Sequence, residues 1–172
     1  EKVLLSSDGS QSHAMNPRSF LYVILSAPAK AGDSVELMEI FGGRGQFEDV
    51  FTDPAALYPR LDRFLEELAA KAEGVYPKAG VHDVILGPDL AGILAHEAIG
   101  HTVEADFVLG GSVAADFMDR EVASPLVTLI DFAHDALGTG CPVPVWVDDE
   151  GVSARDAILI DRGILKSYMH NK

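Results

Sequence analysis

The sequence predicts an α+β fold, with antiparallel β-sheets packed on a few helices. Two observations carry this. Short apolar runs bounded by Gly, Pro, Asn and Asp recur near both ends of the chain, as strands joined by tight turns do. Between them, Leu61, Phe64, Leu65, Leu68 and Ala72 recur at helical spacing, and a second apolar stretch, residues 88–101, carries two histidines and a glutamate. At 172 residues and 48% hydrophobic content, the chain can bury a real core. Residues 1–80 form an N-terminal meander plus a scaffold helix. Residues 81–172 form a strand, a motif-bearing helix and the start of a C-terminal β domain.

In order, residues 1–8 read as a strand (Val3, Leu4, Leu5) with a Ser-Asp-Gly turn behind it. Residues 20–26, FLYVILS, are β-branched and aromatic, hence a strand. Residues 27–33, with Pro28 and Gly32, are turn chemistry. Residues 34–41 alternate, with Val35, Leu37 and Phe41 on one face and Glu36 and Met38 on the other. Together they suggest one antiparallel meander closed by the glycines of GGRG at residues 42–45, with His13 in the loop between its first two strands. GGRG lacks the strand–loop–helix context and the lysine–serine ending of a phosphate loop. Asp53-Pro54 starts a helix, as N-cap and first position, and Pro59 resets its beginning.

Residues 81–86 read as a strand. Pro88-Asp89 then starts a helix with Leu90, Ile93, Leu94 and Ala98 on one face and small residues, Ala91, Gly92 and Ala95, suited to close packing. A helix this apolar is expected to be buried. Residues 110–119 are glycine-rich, expected as a loop near the site. Residues 126–132 and 145–147 read as strands, and residues 134–144 as a turn-rich loop holding His134 and Cys141, either metal ligands or, as is commoner for such a cysteine, an exposed thiol. Asp148, Asp149 and Glu150 either bind a cation or make an acidic turn. Residues 158–160 and 164–169 read as a hairpin across Asp161-Arg162-Gly163.

Charge and cysteine content exclude several classes. The net charge of −14, from 27 acidic and 13 basic residues, argues against binding a phosphate backbone, so no nucleic-acid partner is expected. A single cysteine forms no internal disulfide and fits a reducing compartment. No apolar run approaches the roughly 20 residues of a membrane span. The opening EKVLLSSDGS has no signal-peptide layout and no initiator methionine, so the chain reads as a cytoplasmic, excised segment with no membrane partner.

The chemistry concentrates in HEAIGHTVEADF, residues 96–107. A helix presenting two imidazoles and a carboxylate is a candidate site for zinc and an activated water. The pattern is H-E-x-x-x-H, so His96 and His101 are five residues apart. Five steps of a regular α-helix leave them roughly 140° apart, too far to share one ion. A single wide turn with i→i+5 hydrogen bonding restores one face, and such turns are frequent at functional sites. The spacing therefore predicts a π-type turn or a break near Ile99–Gly100, where glycine costs little to distort. Two core histidines satisfied by hydrogen bonds are the plainer alternative. Glu104, one turn past His101, is a carboxylate that orients His101, a metal ligand, or a helix-end carboxylate in water.

This run resembles the metal motif of the TldD/PmbA metallopeptidases, the "modulator of DNA gyrase" family. GGRGQFEDVF (residues 42–51), VDDEGV (147–152) and ILIDRGILKSYM (158–169) also resemble that family. The resemblance implies that His96 and His101 bind zinc and that Glu97 activates water as the catalytic base. It implies a TldD-type subunit that hydrolyses flexible or unfolded peptides in a cavity shared with a homologous partner subunit, in a homo- or heterodimer. The family's third ligand is a cysteine near the end of a longer chain, and Cys141, ahead of VDDEG, stands in the wrong place for it. The chain is thus expected to be an internal portion with an incomplete metal site. The alternative function is a catalytically inert structural or subunit-interaction portion.

Overall fold

Two antiparallel hairpins open the chain. In the computed structural model, which describes residues 1–30 and 32–170, β1 (Lys2–Leu5) pairs with β2 (Gln11–Ala14), placing Val3 opposite His13. β3 (Arg18–Pro28) pairs with β4 (Ser34–Arg44), placing Tyr22 opposite Ile40. Each pair is its own two-stranded sheet, so the expected single meander is not formed. Alternation specifies which face of a strand is buried, but not which strand edges meet. His13 consequently lies in a strand and not in a loop. Glycines 42 and 43 continue β4 and do not close it, and the expected turn at 27–33 includes Ala31, which lies outside the described residues.

By contacts the chain divides into two units. One comprises Glu1 and Met15–His82; the other comprises Lys2–Ala14 and the chain from Asp83 onward. The first hairpin groups with the second unit. There Lys2 pairs with Asp149, and a Cβ on Gly151 would come within 3.3 Å of Leu4 Cδ2.

In the first unit, a short helix α1 (Phe47–Val50) follows β4, and a 3₁₀ turn at Pro54–Leu57 leads into α2 (Tyr58–Ala72). The Asp53 carboxylate accepts the Ala55 N–H at 3.0 Å, the expected N-cap. Phe64 and Leu68 are buried in α2, while Leu65, expected on the same stripe, is 53% exposed. A ribbon of two strands is narrow, so it covers one column of helix positions and leaves the flanking one in water. Arg60 of α2 bonds both Glu39 of β4 and Glu67. That bond, with Arg63 nearby, holds the Glu67 carboxyl below the usual carboxylate range.

In the second unit, residues 81–86 form no strand, and Ile85 is 99% exposed. A strand needs a ladder partner, and among the described residues none runs beside this segment. α3 (Pro88–Leu94) passes through a π turn (Ala95–Gly100) and a 3₁₀ turn (His101–Val103) into α4 (Ala105–Leu109). The expected glycine-rich loop tightens into a 3₁₀ turn at Val113–Asp116, where the Ser112 hydroxyl accepts the Ala114 N–H. β5 (Leu129–Asp131) is shorter than the strand expected there. β6 (Asp135–Ala136) and β7 (Thr139–Gly140) form a small hairpin. Among the described residues the 145–147 segment forms one bridge, Val147 to Ser153, and no strand. β8 (Ala157–Asp161) and β9 (Ile164–Leu165) complete a three-stranded antiparallel sheet in the order β5–β8–β9. The turn between them holds Arg162 at φ 45° and Gly163 at φ 85°, the signature of a type I′ hairpin.

Val103, Ala114, Leu159, Ile160 and Leu165 form the buried core of this unit, with Ile99, Tyr168 and Met169 packed against it. The end of the motif helix is thus anchored by Ile99 and Val103. No described helix is long and apolar enough to cross a membrane.

Phe64→Ala is expected to cost about 3–5 kcal/mol in urea denaturation, whereas Leu65→Ala stays within about 0.5 kcal/mol. Gly163→Ala is expected to cost more than about 1 kcal/mol, since its Cβ would meet the Ala123 carbonyl oxygen at 2.4 Å while φ is positive.

Candidate metal centre

α3 begins with Pro88 at its first position and Asp89 in its first turn, where a carboxylate favours the positive end of the helix dipole. The helix then widens. The His101 N–H donates to the His96 carbonyl, five residues back, in place of the ordinary four. The rings of His96 and His101 therefore meet edge to face, with centroids 4.6 Å apart and planes at 74°. The wide turn expected near Ile99–Gly100 is present over Ala95–Gly100. Its glycine is not what permits it: Gly100 has φ −49° and ψ −61°, which any residue adopts, and an added Cβ would lie an ordinary 3.6 Å from the Ala95 carbonyl oxygen. The turn is anchored beyond itself by Thr102, whose hydroxyl donates to the Ile99 carbonyl at 2.8 Å, and by Ser112, whose hydroxyl donates to the Thr102 carbonyl at 2.6 Å.

His96, Glu97 and His101 each offer one ligand atom, and these lie within 4.8 Å of one another. His101 Nε2 is 3.9 Å from Glu97 Oε2. On the other side of the ring, Nδ1 is 2.6 Å from Glu104 Oε1. Ligand atoms roughly 2.0–2.2 Å from a tetrahedral zinc sit about 3.4 Å apart, so modest side-chain rotation closes this group on an ion. Two imidazoles and a carboxylate are also a donor set that zinc accepts. The residues present fit the metal. Among the described residues, no further His, Cys, Asp or Glu joins the group.

The helix is not buried as expected. His96, Glu97 and His101 are exposed, and Leu90, Ile93 and Leu94 are each more than half exposed. The apolar face exists, but nothing among the described residues covers it; an apolar stripe records that a helix seeks a cover, not that one is present.

Other sequence-level candidates are not drawn into the group. Cys141 is half-buried where an exposed thiol was expected, and its N–H donates to the His134 carbonyl at 2.8 Å. His134 stacks on Trp146 with centroids 4.1 Å apart. The Asp148 carboxylate accepts the N–H groups of Glu150 and Val152, which makes the 148–150 run an acidic turn. A cavity of about 1250 Å³ opens beside Glu104, with Asp131, Phe132, Val145, Arg155 and Met169 in its wall. The sequence reading did not find this wall. Apart from Glu104 and its neighbours Ala105 and Asp106, its residues come from separate loops and strand ends, so no spacing marks them.

Gly100→Ala is expected to keep the wide turn and to stabilise the chain by up to about 1 kcal/mol, because alanine fits the torsion and loses less backbone freedom. Thermal denaturation with a backbone NMR comparison checks this.

Residues 79–172 match the family described as PmbA/TldA metallopeptidase C-terminal domain. The whole chain is 36% identical to a metalloprotease from Methanocaldococcus jannaschii, covering 37% of that protein. It is also 36% identical, over 84% of the chain and 31% of the relative, to a zinc metalloprotease TldD homologue from Saccharolobus solfataricus. The fold matches a crystal structure of a protein assigned as a modulator of DNA gyrase from Bacteroides thetaiotaomicron, at TM-score 0.66 and 14% identity, over 94% of this chain and 35% of that one. The chain thus spans about a third of the length of the curated relatives it matches. On the family match over residues 79–172, the chain belongs to the PmbA/TldD metallopeptidase family.

Proposed function

We propose that this chain carries the catalytic face of a zinc-dependent peptidase of the TldD type. The observation that supports it is the i→i+5 turn, which turns His96 and His101 toward one another beside Glu97. In this reading His96 and His101 hold zinc. When bound, zinc polarises the scissile carbonyl and lowers the pKa of water. Glu97 takes the proton of the attacking water and delivers it to the leaving amine. It stands next to His96 in sequence and 3.9 Å from His101, with its carboxylate exposed, so a proton reaches it without entering a core.

The proposed substrate is a flexible or unfolded peptide. The cavity beside Glu104, about 1250 Å³ with apolar and polar residues in its wall, has room for several residues. β5 is an edge strand of the three-stranded sheet, and residues 131–133, at and beyond its end, line that cavity. An extended peptide adding to a sheet edge is recognised through its backbone, which suits variable sequences. The proposal includes a cytoplasmic setting and a homologous partner subunit, in a homo- or heterodimer, that helps enclose the substrate. A further protein ligand completes the zinc site, because two histidines rarely hold zinc without a third donor.

In the whole protein, Glu97→Gln is expected to keep stoichiometric zinc and to lower peptide cleavage by 10²–10⁴-fold. His96→Ala and His101→Ala are expected to lose both zinc and cleavage. Metal analysis with cleavage of an unstructured peptide decides. Unchanged cleavage by Glu97→Gln removes the base assignment. Absence of zinc from the native protein favours the inert, structural alternative.

A further inference from the structure

We propose that Glu104 is a positioning residue of this centre: its carboxylate holds the proton of His101 on Nδ1 and so leaves Nε2 as the atom offered to the metal. The proposal deepens the zinc-site reading, and its first observable does not depend on metal.

The geometry separates the three roles open to Glu104. Its Oε1 lies 2.6 Å from His101 Nδ1, shorter than the roughly 3.4 Å edge between two ligands of a tetrahedral zinc. That distance suits a hydrogen bond to an ionised acceptor. The two ring nitrogens also face different neighbours: Nε2 is the one 3.9 Å from Glu97, within the His96–Glu97–His101 group. One imidazole cannot turn both nitrogens to the same ion, so a Glu104 on Nδ1 stands outside the ligand set. A helix-end carboxylate in water would have no fixed partner, yet the Glu104 side chain is 34% exposed and makes this contact.

The assignment of the proton follows from chemistry. A carboxylate only accepts, so a neutral His101 in this contact carries its hydrogen on Nδ1 and a lone pair on Nε2. That is the tautomer a metal at the group requires. A ring free to choose would spend part of its time with Nε2 protonated and closed to metal.

The backbone explains why Glu104 stays in place. It has φ −66° and ψ 131°, an extended residue between the 3₁₀ turn and α4. Its two neighbours are clamped to one residue: Met169 N–H donates to the Val103 carbonyl and Ala105 N–H donates to the Met169 carbonyl, both at 2.8 Å. Val103 is buried in the core, and Met169 packs against it. Met169, distant in sequence, thereby fixes the backbone from which Glu104 reaches His101. Glu104 also lines the large cavity, so this carboxylate joins the metal group to the proposed peptide site.

The test compares the native whole protein with its Glu104→Ala and Glu104→Gln variants. Histidine ¹⁵N correlation spectra, recorded without metal at pH 8, read the tautomer of His101. The native chain and Glu104→Gln, whose amide oxygen still accepts, are expected to show the proton on Nδ1. Glu104→Ala is expected to shift it toward Nε2 while circular dichroism stays native. Zinc affinity, by chelator competition in the whole protein, is expected to fall 10–100-fold for Glu104→Ala and to recover to within a few-fold for Glu104→Gln. A native His101 protonated on Nε2, or a tautomer unchanged in Glu104→Ala, overturns the proposal. Native protein that shows the Nδ1 proton but binds no zinc overturns the zinc reading and leaves the Glu104 contact standing.

Discussion

The hydrogen bond from the His101 N–H to the His96 carbonyl is the constraint on which the site depends. With four-residue bonding, five-apart histidines would project to different sides of the helix. With five-residue bonding, their rings lie edge to face at 4.6 Å and Glu97 falls beside them. A π turn has poorer hydrogen-bond geometry than the α-helix it interrupts, so it persists only where the surroundings hold it. Here the hold comes from below and beyond. Ile99 and Val103 join the core, and Thr102 and Ser112 tie the exit of the turn.

The same anchoring shows how a largely exposed motif keeps a definite shape. The histidines and Glu97 are in water, but the segment that follows them is not. Val103 is buried, and its carbonyl and the Ala105 N–H are both bonded to Met169. The β8–β9 hairpin carries the chain back to that point, and its Arg162-Gly163 turn has no room for a Cβ on Gly163. Scaffold and site are therefore connected through a few backbone bonds, the hydroxyls of Thr102 and Ser112, and the packing of Ile99 and Val103.

The family match and the geometry bear on different questions. The match covers residues 79–172 and places the chain in the PmbA/TldD metallopeptidase family. The structural likeness, at 14% identity, speaks for the fold alone. What the donor atoms can do follows from their distances: a group within 4.8 Å that fits zinc, and a carboxylate on the far nitrogen of one imidazole.

Local features were legible in the sequence because they rest on local physics. The α+β class follows from hydrophobic period and turn residues. Asp53 caps its helix because a short side-chain oxygen reaches a nearby N–H. The wide turn follows from arithmetic, since five-apart histidines need it to share one face. Other features needed the tertiary structure. Residues 81–86 have strand composition but no partner, and a strand is a property of two segments. The apolar face of the motif helix is uncovered, because burial depends on what lies opposite. The first hairpin joins the second unit through Lys2 and Asp149, a pairing that no spacing encodes. The contact of Glu104 with Nδ1 of His101 also needed the tertiary structure; a sequence lists neighbours along the chain but not the direction in which a ring faces.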